Sequence, residues 1–396
     1  MTRFRPTDEN QLAETIAAAM NRDEPMEVIA GGSKRALGRK VAATHVLDLS
    51  AFSGIGLYEP EELVLTAGPA TPLAEIEAAL GAHRQHLAFE PPDWRHLWNS
   101  AAAPTLGGAL ACNLAGPRRI KDGAARDHHL GFRAVSGRGE PFKSGGRVVK
   151  NVTGYDLSKL MAGSYGTLAA LTEVTVKVLP APEETRSILL RGLTDAAAGR
   201  AMAAAMASPH EVSGAAHLPR GTGGGDNAVT LLRLEGHAPS VVARSEALSA
   251  LLREFADCEI ADRETSLPLW RSIGDATPFA RMPDRAIWRI SVPPSAGAAL
   301  VARLAPLLDF AHFYDWAGGL VWLGVAGAED GGAAAIRAAM PQGDGHATLI
   351  RGSDALRETV AVFQPLAPAL GALAQRVKES FDPKRILNPG RMYREI

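Results

Sequence analysis

The chain has 396 residues, 46% of them apolar, and its 42 Lys plus Arg against 43 Asp plus Glu give a formal net charge of −1. That length is more than one hydrophobic core fills, so two domains are expected. The near-neutral charge argues against a nucleic-acid binder, and no apolar run is long enough to span a bilayer.

The opening residues, MTRFRPTDENQLAE, carry no apolar core of the secretory kind. The two cysteines, Cys112 and Cys258, are expected to be buried free thiols in a reducing compartment, which places the chain in the cytoplasm. Residues 9–21 set Leu12, Ile16 and Met20 at helical spacing. A strand is expected at Glu27–Ala30, then a glycine loop, then a strand at His45–Leu49. GIGLYEPEELVLTAG reads as two strands joined at Glu59-Pro60-Glu61. Thr71 with Pro72 reads as the cap and first position of the helix PLAEIEAALGAH. Glycine turns and short strands follow to about residue 150. LTEVTVKV (171–178) alternates, with Thr172, Val174, Val176 and Val178 on one face, as a half-buried strand does. Pro180 and Pro182 close this part.

Beyond residue 183 the rhythm changes. Strands are expected at 186–191, 212–217, 228–235, 286–292, 310–316, 319–326 and 346–351. Helices are expected at 195–206, 240–255, 296–308 and 331–340, with an irregular stretch in the middle. This is roughly βαββα twice, the ferredoxin-like rhythm, and it implies a broad antiparallel sheet with helices on one face. The tail, Leu366 to Ile396, gives a helix and then FDPKRILNPGRMY.

Three glycine clusters sit in the first half. VIAGGSKRALGR (28–39) follows a strand, but it is neither GxxxxGK[ST] nor GxGxxG. Consecutive glycines nonetheless let backbone N–H groups converge on one point, and Ser33 permits close approach. An ordinary turn, with Lys34, Arg35 and Arg39 as a solvated rim, is the plainer alternative. In PTLGGALACNLAGPRR (104–119), Thr105 can cap a helix whose first turn holds Gly107 and Gly108. That geometry suits either an anion or tight helix packing. In KNVTGYDLSKLMAGSYGTLAALTEVTVKV (150–178), a short helix over Tyr155–Met161 ends at Ala162-Gly163. Ser164-Tyr165-Gly166-Thr167 then turns into the alternating strand.

In order and wording these clusters resemble the vanillyl-alcohol-oxidase, or PCMH-type, family of FAD-binding proteins, and among them the FAD-binding subunits of bacterial glycolate oxidases. FEPPD, GAARDHHLG and FDPKRILNPGRMY add to the likeness, which covers residues 28–182 and 380–393. The resemblance implies an α+β fold: a two-subdomain PCMH-type FAD-binding domain (1–183), an inserted ferredoxin-like α+β cap domain (184–360), and a C-terminal segment (361–396) returning to the FAD domain. It further implies that Gly31, Gly32, Ser33 and Lys34 surround the FAD pyrophosphate. Thr105, Leu106, Gly107, Gly108 and Asn113 would line the middle of the cofactor. Gly163, Ser164, Gly166 and Thr167 would hold its ribityl and adenosine side, with Asn388 and Arg391 near the flavin or its rim.

Departures from the family pattern are informative. No histidine lies between Val28 and Val41, so FAD is expected to be non-covalent. The eleven histidines include no HxH pair of the kind that holds a metal in the cap of catalytic relatives. His128 and His129 are adjacent, so on a strand they diverge, and His346 stands alone; no metal site is expected. WRHLWN (94–99) reads as packing or cover for a ring. His312, Tyr314 and Trp316 share a strand face that would touch substrate if it faced the flavin. GTGGGD (221–226) reads as a hairpin loop. RRIKDGAAR (118–126) reads as solvated charge or as a contact to FAD phosphate or an acidic partner.

The resemblance implies a flavoprotein subunit that oxidises glycolate, or another small 2-hydroxy acid, to the 2-oxo acid. Electrons would pass to a related catalytic flavoprotein subunit and an iron–sulfur subunit. Two cysteines are too few for a four-cysteine cluster in this chain. Any membrane contact would come through partners at the inner face. The catalytic base is left open. The alternatives are a self-sufficient D-lactate-type dehydrogenase, using His312 or His346 with Arg289 or Arg351, and a flavin-free structural subunit.

Overall fold

Three larger sheets and one two-stranded pair, Gln85–His86 with Leu179–Pro180, form among the described residues of this protein, whose computed structural model describes residues 1–147, 154–222, 225–341 and 343–396. Lys150–Thr153 of the third glycine cluster, and Gly223 and Gly224 of GTGGGD, lie outside the described residues.

The first sheet is small and parallel, in the order Thr2–Phe4, His45–Asp48, Met26–Ile29. The strand at Thr2–Phe4, ahead of the first helix, was not expected: three residues are too few to show alternation, and its partner lies far along the chain. Helix Glu9–Arg22 is capped by Asp8, which accepts from the Gln11 N–H at 2.9 Å. It buries Leu12, Ile16 and Ala19 against Val135 and Ala170 of the second sheet. The second sheet is antiparallel, in the order Ile55–Glu59, Val64–Ala67, Ala169–Lys177, His129–Ser136, Pro141–Gly145. The alternating strand is therefore central. Val174 and Val176 face the core together with Leu171, because a bulge at Thr172 shifts the alternation and takes Thr172 to the other face, where Ala170 and Thr175 are also buried, so the strand is covered more fully than half.

Helix Leu73–Ala82 corrects one expectation. Thr71 does not cap it. Its hydroxyl donates to Gly68 O at 2.7 Å and accepts from the Gly54 N–H at 2.9 Å, so it ties two loops together instead.

The remaining sheet has eight strands, all antiparallel, in the order Cys258–Ala261, Glu184–Arg191, Val229–Gly236, Gly214–Leu218, Asp309–Asp315, Leu320–Ala326, Ala286–Ser291, His346–Arg351. Each half is a βαββαβ unit with strand order 4-1-3-2, the ferredoxin-like arrangement, and the two units meet along their second strands. Helices Asp195–Ala207, Ala238–Leu252, Gly297–Leu304 and Ala333–Ala339 pack one face. The expectation of helices on one face only is corrected by Arg263–Gly274, which lies on the other. Its Trp270 and Ile273 join a core there with Trp94, Leu97 and Leu114 of the first half of the chain. Pro268 inside this helix made the stretch read as irregular.

The junction between the halves is polar as well as apolar. Indole N–H groups cross it: Trp94 donates to Gly274 O (3.0 Å), Trp98 to Ile350 O (2.8 Å) and Trp316 to Gly116 O (3.0 Å). Arg118 pairs with Glu235 at 2.6 Å and Glu90 at 3.0 Å, and Arg233 reaches Glu90 at 2.9 Å. WRHLWN and Arg118 thus pin the junction. The tail helix Pro368–Phe381 returns to the second sheet, where Val377 and Phe381 pack on its core.

Candidate functional site

A cleft runs between the first two sheets and takes its walls from all three glycine clusters and the tail. The first wall is the loop after strand Met26–Ile29. Gly31 is required by crowding: a Cβ there would lie 2.6 Å from Ala103 O and 2.7 Å from Thr105 Cγ2. Gly32 is required by conformation, with φ +81°. Among the described residues, the N–H groups of Gly31, Gly32, Ser33 and Lys34 have no protein acceptor. Four successive N–H groups without acceptors leave a positively polarised stretch of backbone along the cleft.

Lys34 strengthens that wall. Contrary to the expectation of a solvated rim, it is only 8% exposed. Its Nζ meets Ser33 Oγ at 3.4 Å and, among the described residues, no carboxylate. Burial pushes the ammonium below its ordinary pKa. A buried cation without a counter-ion is costly, and an anion in the cleft removes the cost. Arg35 instead pairs with the buried Glu27, its Nε 2.9 Å from Oε1.

The second wall is helix Leu106–Ala111. Thr105 caps it, accepting from the Gly108 N–H at 3.3 Å. Gly107 packs on Pro69, where a Cβ would come to 2.4 Å, and a Cβ on Gly108 would sit 3.6 Å from Lys34 Nζ. Cys112, at the end of this helix, lines the cleft; burial pushes its thiol up, against the opposing pull of Lys34. Cys112 and Cys258 are both free and partly exposed, not fully buried.

Gly31, Gly32, Ser33, Lys34, Thr105, Gly107, Gly108, Gly166, Asn388 and Arg391 all face the cleft. Leu106, Asn113, Gly163, Ser164 and Thr167 stand behind its wall. Leu106 is buried in the core, and Asn113 Oδ1 accepts from the Arg126 N–H. The Ser164 and Thr167 hydroxyls donate to Met161 O (2.8 Å) and Ser164 O (2.7 Å), closing their own turn. Residue type at a glycine turn marks the turn, but only the packed chain decides which side meets the cleft. Sequence reasoning did not single out Cys112, Tyr165 or Pro69 as lining residues, although Cys112 and Tyr165 lie inside the motifs it quoted and Pro69 directly follows one.

At the junction with the eight-stranded sheet lies a second group. The guanidinium carbons of Arg119 and Arg289 sit 4.3 and 4.6 Å from the centroid of the Trp316 ring. Neither side chain forms an ion pair among the described residues, and the enclosed Arg289 Nε has no partner. Burial, with Arg119 adding to it, lowers Arg289 to about 10. His346 lies on the same sheet face: Arg289 pairs across with Thr348, and Ser291 with His346. His346 is exposed at the start of its strand, and partial desolvation first, then Arg289 and Arg119, move its imidazole below the ordinary value.

The other residues named from sequence do different work. His312 and Tyr314 turn to the helical side, where His312 Nε2 lies 2.7 Å and Tyr314 Oη 2.8 Å from Asp195 Oδ2. The idea that this strand face meets a flavin is corrected for these two residues. Arg351 is spent on the carbonyls of Arg285, Phe279 and Met282. His128 and His129 are buried, bonded to Asp122 O (2.9 Å) and Ser158 O (3.0 Å). Among the described residues no three metal-ligating side chains converge, and no helix is long and apolar enough to cross a membrane.

Comparison with known proteins gives the site a context. The FAD binding domain family matches residues 3–145, and the C-terminal domain of FAD linked oxidases matches residues 364–392. The chain is 37% identical to glycolate oxidase subunit GlcE of Escherichia coli (strain K12), over 99% of this chain and 100% of that protein. It is 40% identical to glycolate oxidase subunit GlcD of Bacillus subtilis (strain 168), over 26% of this chain and 21% of that one. Among solved structures, 4-ethylphenol oxidase from Gulosibacter chungangensis superposes with a TM-score of 0.74 at 14% identity, covering 99% of this chain and 88% of that one. p-Cresol methylhydroxylase superposes with a TM-score of 0.72 at 14% identity, covering 98% and 88%. At that identity these two likenesses concern the fold.

Proposed function

The chain belongs to the family of the glycolate oxidase subunit GlcE, FAD-linked oxidoreductases that work as subunits of a complex, and from that membership we propose how its own residues serve the reaction. The first cleft is the FAD site. Four unclaimed amides and the unpaired Lys34 ammonium suit the diphosphate, and the glycines leave room for a close, non-covalent fit. Gly31, Gly32, Ser33 and Lys34 would meet the diphosphate; Thr105, Gly107, Gly108 and Gly166 would line the remainder, with Asn388 and Arg391 at the rim. Leu106, Asn113, Gly163, Ser164 and Thr167 would support that wall from behind. Residues 1–183 and 361–396 form the FAD domain in this reading, and 184–360 the cap.

The substrate is a small 2-hydroxy acid, glycolate or a close relative. One observation carries this: two guanidiniums without carboxylate partners meet over Trp316 at the cap junction. That arrangement takes a carboxylate, as charge-assisted hydrogen bonds to Arg are strong and directional. His346, on the same sheet face as Arg289 and with its imidazole below the ordinary value, would accept the hydroxyl proton. Bound FAD supplies the two-electron acceptor for the hydrogen on the substrate carbon. Arg289 and Arg119 orient the acid, and the junction tryptophans exclude water. With two separate free cysteines, the chain leaves onward iron–sulfur electron transfer to a partner subunit beside the related flavoprotein.

The test is anaerobic addition of glycolate to the purified complex while the flavin absorbance is followed. Reduction that needs at least about tenfold more glycolate in Arg289→Leu supports the carboxylate site, since a charged hydrogen bond contributes roughly 1.5–3 kcal/mol. Unchanged glycolate dependence in that variant refutes it. Full turnover of D-lactate by the isolated chain would favour the self-sufficient dehydrogenase.

A further inference from the structure

The tail residues Lys378, Asp382 and Asn388 form a chain of contacts that touches two of the cleft walls. Lys378, with 0% of its side chain exposed, donates from Nζ to Asp382 Oδ2 at 2.7 Å, Leu387 O at 2.9 Å and Thr167 O at 2.5 Å. The Asp382 carboxylate also accepts the N–H groups of Ile386 (3.0 Å) and Leu387 (2.8 Å). The buried pair therefore fixes the turn that delivers Asn388. Asn388, at φ +45°, accepts the Val28 N–H on Oδ1 at 2.8 Å and donates from Nδ2 to Tyr165 O at 2.8 Å. Val28 leads into the first glycine loop, and Tyr165 sits in the third. A Cβ on Gly166 would lie 2.8 Å from Asn388 Nδ2, so the glycine lets the amide reach this place.

We propose that Asn388, held by the Lys378–Asp382 pair, is a positioning residue that sets the distance between the first and third glycine turns and so presets the cofactor cleft. Each polar atom of its amide bonds the backbone of a different wall, so it couples the two turns directly, whatever contact its second N–H makes with a ligand. The inference rests on the FAD reading only for the identity of the ligand; the coupling of the two turns stands on the contacts alone.

The experiment compares wild type with Asn388→Gly and Asn388→Asp in the full chain. Glycine removes the side chain without strain at a positive φ, and aspartate keeps the acceptor but loses the donor. Amide hydrogen exchange is read on the FAD-free protein, and FAD titration on the same samples. In Asn388→Gly, the amides around Val28 and those of Tyr165–Thr167 are expected to lose protection together. In Asn388→Asp, only Tyr165–Thr167 should do so. FAD should bind about tenfold more weakly to Asn388→Gly, as the loss of two ordinary hydrogen bonds implies. Where Asn388→Gly lowers the melting temperature but leaves the exchange of both turns and the FAD affinity at wild-type values, the residue is merely structural and the proposal falls. A wild-type chain that takes up no FAD overturns the FAD reading, while the exchange arm still decides the coupling. Lys378→Met alone leaves a buried carboxylate unpaired and risks unfolding. The double variant Lys378→Met/Asp382→Leu is therefore the second probe. Intact protection at both turns in that protein would overturn the role given to the pair.

Discussion

The junction between the first half of the chain and the eight-stranded sheet depends on a charge balance that one substitution should upset. Arg118 and Arg233 face Glu90 and Glu235, with side-chain exposures of 10%, 1%, 20% and 8%. In Arg118→Met, two carboxylates are left with one guanidinium. The variant loses the Arg118–Glu235 contacts at 2.6 and 2.9 Å and the Glu90 contact at 3.0 Å. Breaking such a buried pair costs about 3–5 kcal/mol, because the abandoned charge stays desolvated. The pH dependence has a defined sign. Burial by itself would raise the Glu235 carboxyl, but Arg233 and Arg118 outweigh burial and hold it at about 2, against 4.5 when unfolded. A depressed carboxyl contributes stability that is present above the unfolded value and is lost as pH falls from about 4.5 toward 2. Urea unfolding of wild type and Arg118→Met at neutral pH, and again at pH near 3, measures both effects. The variant should lose most at neutral pH and least in acid. Adding Glu235→Leu to Arg118→Met should recover part of the loss, since it removes the orphaned charge. A single variant within about 1 kcal/mol of wild type, or a double variant whose costs simply add, would refute an electrostatic latch at this junction.

Lys34→Met should raise the stability of the FAD-free protein, because it deletes a buried unpaired cation, and should weaken FAD binding at least about tenfold; thermal melts with and without FAD show the opposed signs. Gly32→Val should abolish FAD retention with the fold largely kept, since φ +81° excludes a β-branched residue while the space around it is open; full flavin content in that variant would contradict the diphosphate assignment. His346→Gln should slow substrate reduction of the flavin by roughly 10²–10⁴-fold with little change in flavin content, as expected for loss of a general base. Its pH profile in wild type should rise below the usual histidine range, because partial desolvation and the two arginines lower the imidazole.

The sequence by itself determined most of the regular elements and the glycine turns that could cradle an anion. Alternation marked the central strand Ala169–Lys177, and the 3.6-residue period marked Glu9–Arg22, because each element sees one buried side at a fixed spacing. Glycine clusters pointed to backbone N–H cradles, since only glycine allows the close backbone approach at Gly31 and the positive φ at Gly32, and the resemblance of their order to a known family supplied FAD as the ligand. Elements whose reason lies elsewhere in the chain were not legible. The strand Thr2–Phe4 exists through its pairing with His45–Leu47, and helix Arg263–Gly274 through its packing at the junction despite Pro268. The same holds for the site. For Lys34 the residues alone left a solvated rim and a phosphate contact both open, and the tertiary structure buries it without a partner. His312 and His346 were equal candidates as a base until the sheet's two faces separated them, sending His312 to Asp195 and leaving His346 beside Arg289. Local spacing fixes which side chains share an element. Which element faces the cleft, and which charge finds a counter-ion, depends on contacts hundreds of residues apart, such as that of Asn388 with Val28, and only the folded chain supplies them.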